Sequence, residues 1–249
     1  MTFQIDGYSD VGRVRKNNED AWYAQAFGDG LLLALVSDGV GGNNAGEVAS
    51  AMVRDEFARL LEAGKLDPAV KPALRGPLLE TALYKIHLAI AKAAAENEER
   101  SGMAATATVV IVDAKGGTLA QVGDSRLYRV ADGQIEELSD DQTVAMELVK
   151  AGRLSSTAAG THPDRNTLSQ CLGLEGMDEP LAPVISTFTW SAGDRLLLCS
   201  DGISDVLAPD EIAAAALQDM EGAAEAVAQA ALEAGSQDNA TVILLCRYS

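Results

Sequence analysis

The chain has 249 residues, and 37 Asp plus Glu against 19 Lys plus Arg give a formal net charge of −18 at pH 7. With 47% hydrophobic residues it can bury a core as a single domain spanning 1–249, which excludes a disordered chain. The acidity sets it against nucleic-acid backbones, and no apolar run reaches the length of a membrane span.

The N-terminus, MTFQIDGYSD, lacks the basic and apolar regions of a secretory leader, so a soluble, cytoplasmic monomer is expected. In chain order, Leu31 to Val36 predicts a strand buried on both faces. Ala45, Val48, Ala49, Met52, Val53, Phe57, Leu60 and Leu61 then form one helical stripe over Ala45 to Leu61, facing a core. The segment 65–77, KLDPAVKPALRGP, holds three of the seven prolines and reads as a surface connection to a second helix over Leu78 to Asn97. Ala107 to Val112 predicts a buried strand, 117–130 two strands around a tight turn, and 184–190 a half-buried strand. Leu196 to Cys199 and Thr241 to Cys246 are two more buried strands. Between them lie helices over 209–219, entered by Pro209, Asp210 and Glu211, and over 222–234. This order is not a βαβα alternation; it predicts an α+β fold with helix pairs against mainly antiparallel sheets. Cys171, Cys199 and Cys246 are odd in number and lack metal-type spacing, so they read as buried reduced thiols.

Most acids belong to a solvated face. Four sit differently: Asp38 follows LLLALVS, Asp201 follows LLLCS, Asp124 ends AQVGD, and Asp238 precedes the strand in DNATVILL. Asp followed by Gly is a common turn signal, and for any single one of the four a turn is the simpler reading. Together they place carboxylates at the ends of strands in one sheet system, where unpaired charge costs several kcal/mol each. Oxygen ligands without nearby His or Cys select Mg²⁺ or Mn²⁺, and shared carboxylates allow a two-metal site that Asp205 can also reach. Arg15, four and five residues before Glu19 and Asp20, is either a surface ion pair or a phosphate grip.

Other chemistries fail on the letters. No arginine stands six residues after Cys171 or Cys199, GDSRL is no GxSxG elbow, and VGGNNAG lacks the GK[ST] of a P-loop. His87 and His162 read as structural.

In their joint order, SDVGRVRKNNED, VSDGVGG, GMAAT, VGDSRLYRV, LSDDQTVAMELVKAGRLS with HPDRNTLSQCLG, CSDGISD and GSQDNATVIL make the chain resemble the protein phosphatase 2C family, the metal-dependent Ser/Thr protein phosphatases, in a compact bacterial form. The resemblance implies a four-layer α-β-β-α sandwich. It implies that Asp38 bridges two Mn²⁺ or Mg²⁺ ions, with Asp201 and Asp238 completing one and Glu19 and the Gly39 carbonyl serving the other, partly through water. Asp20 would orient water, a third ion would use Asp124, Asp201 and Asp205, and Arg15 would bind phosphate. Residues 139–172 would form a flap beside the site.

Three positions depart from the pattern: Val40 supplies no general acid where many members have His, Ala104 and Ala105 alter the usual GMGTT, and Gln142 replaces a frequent flap His. The implied activity is hydrolysis of phosphoserine and phosphothreonine in proteins, opposing a Ser/Thr kinase. The alternative is a non-catalytic module that binds phosphoproteins on the same fold.

Overall fold

The computed structural model describes residues 2–40, 45–174 and 180–248. The glycine-rich VGGNNAG stretch therefore lies largely outside the described residues. In chain order the elements are β1 (Thr2–Asp10), β2 (Asp20–Phe27), β3 (Leu31–Val40), α1 (Gly46–Glu62), α2 (Pro72–Ala95), β4 (Ala104–Ala105), β5 (Ala107–Val112), β6 (Gly117–Val122), β7 (Arg126–Ala131) and β8 (Gln134–Glu137). They continue with α3 (Val144–Lys150), α4 (Ser156–Ala159), β9 (Val184–Phe188), β10 (Arg195–Cys199), α5 (Asp201–Ser204), α6 (Pro209–Ala216), α7 (Ala223–Glu233) and β11 (Ala240–Tyr248).

Two antiparallel sheets form, one in the order β1-β11-β10-β7-β8 and one in the order β2-β3-β5-β6-β9, with β4 added beside β3. The four layers follow from the alternation of side chains along continuously apolar strands. In β3, Leu31, Leu33 and Leu35 face α1 and α2, while Leu32, Ala34 and Val36 face the other sheet. In β11, Val242, Leu244 and Cys246 pack toward α6 and α7, and Ile243 and Leu245 pack between the sheets with Leu196 and Leu198 of β10. Each central strand thus serves two cores, and this is why it reads as an unbroken apolar run. The expected α-β-β-α sandwich is present, and the three cysteines are buried and free.

Two expectations change. The second helix begins at Pro72, inside the segment read as a connection, and carries Pro77 within it. Pro72 opens the helix, where its missing N–H costs nothing, and the buried Arg75 pairs with Asp113 at 2.8 Å, drawing the first turns onto the sheet. Residues 117–130 do form two strands, but β6 and β7 belong to different sheets. The turn at Gly123 to Ser125 is a crossing between layers.

Candidate metal and phosphate site

The predicted acids gather where one end of the two sheets meets, so the sheet system expected to carry them is in fact two sheets. Asp20 and Asp38 are Cα partners at the end of the β2–β3 ladder. Asp124 lies on the crossing between β6 and β7, Asp201 follows β10 and opens α5, and Asp238 precedes β11. Asp205 follows the single turn of α5.

Neither Asp-Gly pair is a turn. Asp38 and Gly39 lie within β3, and neither Gly39 nor Gly202 has a positive φ. These glycines are needed for close approach: a Cβ on Gly39 would fall on the Gly46 carbonyl, and one on Gly202 on the Asn239 carbonyl. Gly39 N–H donates to the Glu19 carbonyl at 3.0 Å, which sets the strand carrying Asp38 against the loop carrying Arg15.

Buried hydroxyls and one amide seat the acids. Thr106 Oγ1 accepts from Asp38 N–H at 2.9 Å and shares a hydrogen bond with Ser125 Oγ at 2.8 Å, so Asp38 and the residue after Asp124 rest on one hydroxyl pair. Ser200 Oγ donates to Asp20 Oδ2 at 2.7 Å and accepts from Thr241 N–H at 3.1 Å. Asn239, 3% exposed, accepts from Glu19 N–H at 2.8 Å and donates to the carbonyls of Val11 and Asn17 at 2.8 and 3.0 Å. It fixes the Arg15 to Glu19 loop beside Asp238. Thr106, Ser200 and Asn239 escape a reading of the sequence because their partners lie far along the chain; only their positions next to the acid motifs signal them.

Burial pushes the carboxyls up, and mutual repulsion adds to it. Asp20 rises to about 6 and Asp201 to about 7, both first through desolvation. Asp38 and Asp124 lie well above the ordinary range, Asp38 through desolvation and then Asp20, Asp201, Asp124 and Asp238. Glu19 is raised by desolvation against the opposing pull of Arg15, with Glu47 a further like charge beside it.

Among the described residues, no three His, Cys, Asp or Glu side chains are gathered closely enough to hold a metal ion as they stand. Protein donors occupy several of the acids instead: Arg15 donates to Asp238 at 2.6 Å, Asn166 to Asp205, and Ser200 to Asp20. The donor set nevertheless fits a hard divalent cation. It is oxygen only, it carries concentrated negative charge, and Oδ1 of both Asp20 and Asp201 is buried without a hydrogen-bond partner among the described residues. Bound cations would supply the positive partner that such buried oxygens lack.

Arg15, Glu19, Asp38, Gly39, Val40, Asn166, Asp201 and Asp238 line one cavity of about 370 Å³. Asp124, Asp141, Asp201 and Asp205 line a second, of about 270 Å³, roofed by Thr143, Met146, Arg165 and Asn166 of the 139–172 segment. Asp201 borders both. Arg15 is half exposed, with its guanidinium 4.0 Å from Glu19, so it can leave Asp238 for an entering anion. The predicted site residues therefore line two adjoining cavities, except Asp20, which lines neither and sits opposite Asp38 in the β2–β3 ladder. At the departures, Val40 lines the first cavity, Ala104 and Ala105 pair with Val40 and Gly39, and Gln142 is buried.

Residues 12–235 match the family model described as Protein phosphatase 2C. The Ser/Thr protein phosphatase PstP of Mycobacterium tuberculosis is 36% identical over 245 residues, which is 95% of this chain but 43% of that protein, so the chain spans less than half the length of this relative. The Ser/Thr phosphatase stp of Listeria monocytogenes is 31% identical over 251 residues, covering 96% of this chain and 94% of that one. The catalytic domain of PstP, solved in complex with two manganese ions, superposes with a TM-score of 0.82 at 31% identity, covering 99% of each chain.

Proposed function

The chain belongs to the protein phosphatase 2C family, and we propose that it hydrolyses phosphoserine and phosphothreonine in proteins, using Mn²⁺ or Mg²⁺. The observation that carries this reading is the convergence of Glu19, Asp38, Asp201 and Asp238 on a cavity that also holds Arg15, with Asp20 paired to Asp38 behind it and buried oxygens of Asp20 and Asp201 lacking hydrogen-bond partners among the described residues. Relatives over most of the chain are Ser/Thr phosphatases, and one structural neighbour holds two manganese ions.

Asp38 would bridge two ions, Asp201 and Asp238 completing one and Glu19 and the Gly39 carbonyl the other, while Asp124, Asp201 and Asp205 would hold a third. Such ions supply Lewis-acid stabilisation of phosphoryl charge and a water nucleophile active near neutral pH. The chain's own residues do the rest. Asp20, held by Ser200, orients the attacking water by accepting its hydrogen bond. Arg15 swings from Asp238 to two phosphoryl oxygens and holds their charge from the bound substrate through the transition state. Val40 has no proton to give, so the leaving alkoxide takes its proton from solvent.

A bacterial Ser/Thr kinase and its targets are the proposed counterparts of a monomeric, cytoplasmic enzyme. No helix among the described residues is long and apolar enough to cross a membrane. The test is chelator-sensitive, Mn²⁺-dependent phosphate release from p-nitrophenyl phosphate and from a phosphopeptide. Folded protein inactive on both across a range of Mn²⁺ and Mg²⁺ would leave the non-catalytic binding module as the better account.

A further inference from the structure

Asp124 rides on a three-residue crossing between the two sheets, and two buried glutamines grip that crossing. Gln142 Oε1 accepts from Gly123 N–H at 2.9 Å, and the Gln142 N–H donates to the Gly123 carbonyl at 3.0 Å, so one residue holds both polar atoms of Gly123. Gln142 Nε2 donates to the Ala182 carbonyl at 2.8 Å, on the stretch that enters β9. From the other side, Gln121 Nε2 donates to the carbonyls of Ser125 and Gly123 at 3.2 and 3.3 Å, and its Oε1 accepts from Asp140 N–H at 2.9 Å. Gln121 is 0% and Gln142 5% exposed, so water offers no substitute for these bonds.

The same bonds reach the 139–172 segment. Gln142 belongs to it, and the Gln142 carbonyl accepts from Ser169 N–H at 2.8 Å, closing the segment's two ends on each other. Farther along, Asn166 donates to Asp205. The two outer acids of the second cavity, Asp124 and Asp205, are thus both tied to one segment, the first through Gly123 and the second directly.

We propose that Gln142, assisted by Gln121, is a positioning residue that holds Asp124 in register with Asp201 and Asp205, and so couples cation capture in the second cavity to the seating of the 139–172 segment. The proposal rests on the reading of Asp124 as a metal ligand. It also assigns a task to the position where the family pattern often has His: a ring with one accepting and one donating nitrogen can replace both side-chain bonds of Gln142.

The experiment compares Mn²⁺ binding by calorimetry, and amide hydrogen exchange over residues 123–125, for the wild type, Gln142→Met, Gln142→His and Asp124→Asn. Methionine keeps the length and removes both hydrogen bonds. We expect Gln142→Met to weaken the weakest Mn²⁺ binding event about tenfold, in line with other residues that support metal ligands, and to speed exchange at Gly123, with Gln142→His close to wild type on both readouts. Should the methionine variant not fold, Gln142→Asn, a methylene too short to reach both Gly123 and Ala182, carries the same expectation. A lower melting temperature with an unchanged Mn²⁺ isotherm would reduce Gln142 to a structural residue and overturn the proposal, as would a histidine variant that binds Mn²⁺ as weakly as the methionine one. Asp124→Asn separates the two levels: an unchanged isotherm there refutes the Asp124 assignment itself, whereas a weakened one beside an unchanged Gln142→Met refutes only the positioning role.

Discussion

Asp20 and Asp38 stand opposite each other as the last pair of the β2–β3 ladder, two acids held face to face by backbone pairing. Hydrogen bonding, including that from Ser200 to Asp20, offsets only part of the cost; burial and neighbouring acids raise both. A fold that fixes like charges this way is destabilised by their ionisation unless a cation joins them.

The carboxyl of Asp20 rises from 3.8 to about 6 and that of Asp201 from 3.8 to about 7, so folding favours their protonated forms. The stability they contribute is complete below their unfolded value and is lost as pH rises through these folded values. In EDTA the melting temperature should fall by several degrees between about pH 5 and about pH 8. Saturating Mn²⁺ should remove most of that slope. A melting temperature in EDTA that climbs over this interval would contradict the electrostatics.

Asp201→Asn keeps the side-chain volume and removes one charge. It should lower kcat by about 100-fold or more and weaken Mn²⁺ binding, while the metal-free protein melts no lower than wild type near pH 8. Steady-state kinetics and thermal melts in EDTA check the two halves, and a near wild-type kcat would remove Asp201 from the site.

Arg15→Ala should act mainly on substrate binding. Losing hydrogen bonds to a charged group costs about 1.5–3 kcal/mol, so KM for a phosphopeptide should rise at least about tenfold. Because Arg15 is half exposed in its pairing with Asp238, the fold should tolerate the change. An unchanged KM would count against a phosphate role.

Gly202→Ala places a methyl on the Asn239 carbonyl, a backbone atom that cannot step aside. It should destabilise by about 3 kcal/mol and weaken Mn²⁺ binding through displacement of Asp201 and Asp238. Denaturant unfolding gives the first quantity. A neutral effect would mean that this close approach does not hold the acids in place.

These glycines show where reading the sequence works and where it stops. Asp38-Gly39 and Asp201-Gly202 stand out because unbroken apolar runs deliver each acid to a strand end, and those runs exist because β3 and β10 each face two cores. The local letters cannot show that the glycines serve close packing, since the atoms they admit belong to Gly46 and Asn239. The same limit hides the crossing at Gly123 to Ser125, which looks like a hairpin until the sheets are assembled. It hides the start of α2 as well, where the pairing of Arg75 with Asp113 outweighs a proline-rich composition. Asn239 lies 220 residues from Glu19, whose N–H it accepts, so its task is visible only in three dimensions.

Whether the converging acids make a metal-dependent phosphatase is read from a Mn²⁺ titration of phosphate release from a phosphothreonine peptide by wild type and Asp38→Asn. The wild type should show saturable, EDTA-reversible activity, and the variant at least about 100-fold less at every Mn²⁺ concentration. Equal activity of the two proteins, or phosphate release indifferent to Mn²⁺ and EDTA, would rule out a metal-dependent phosphatase built on these acids.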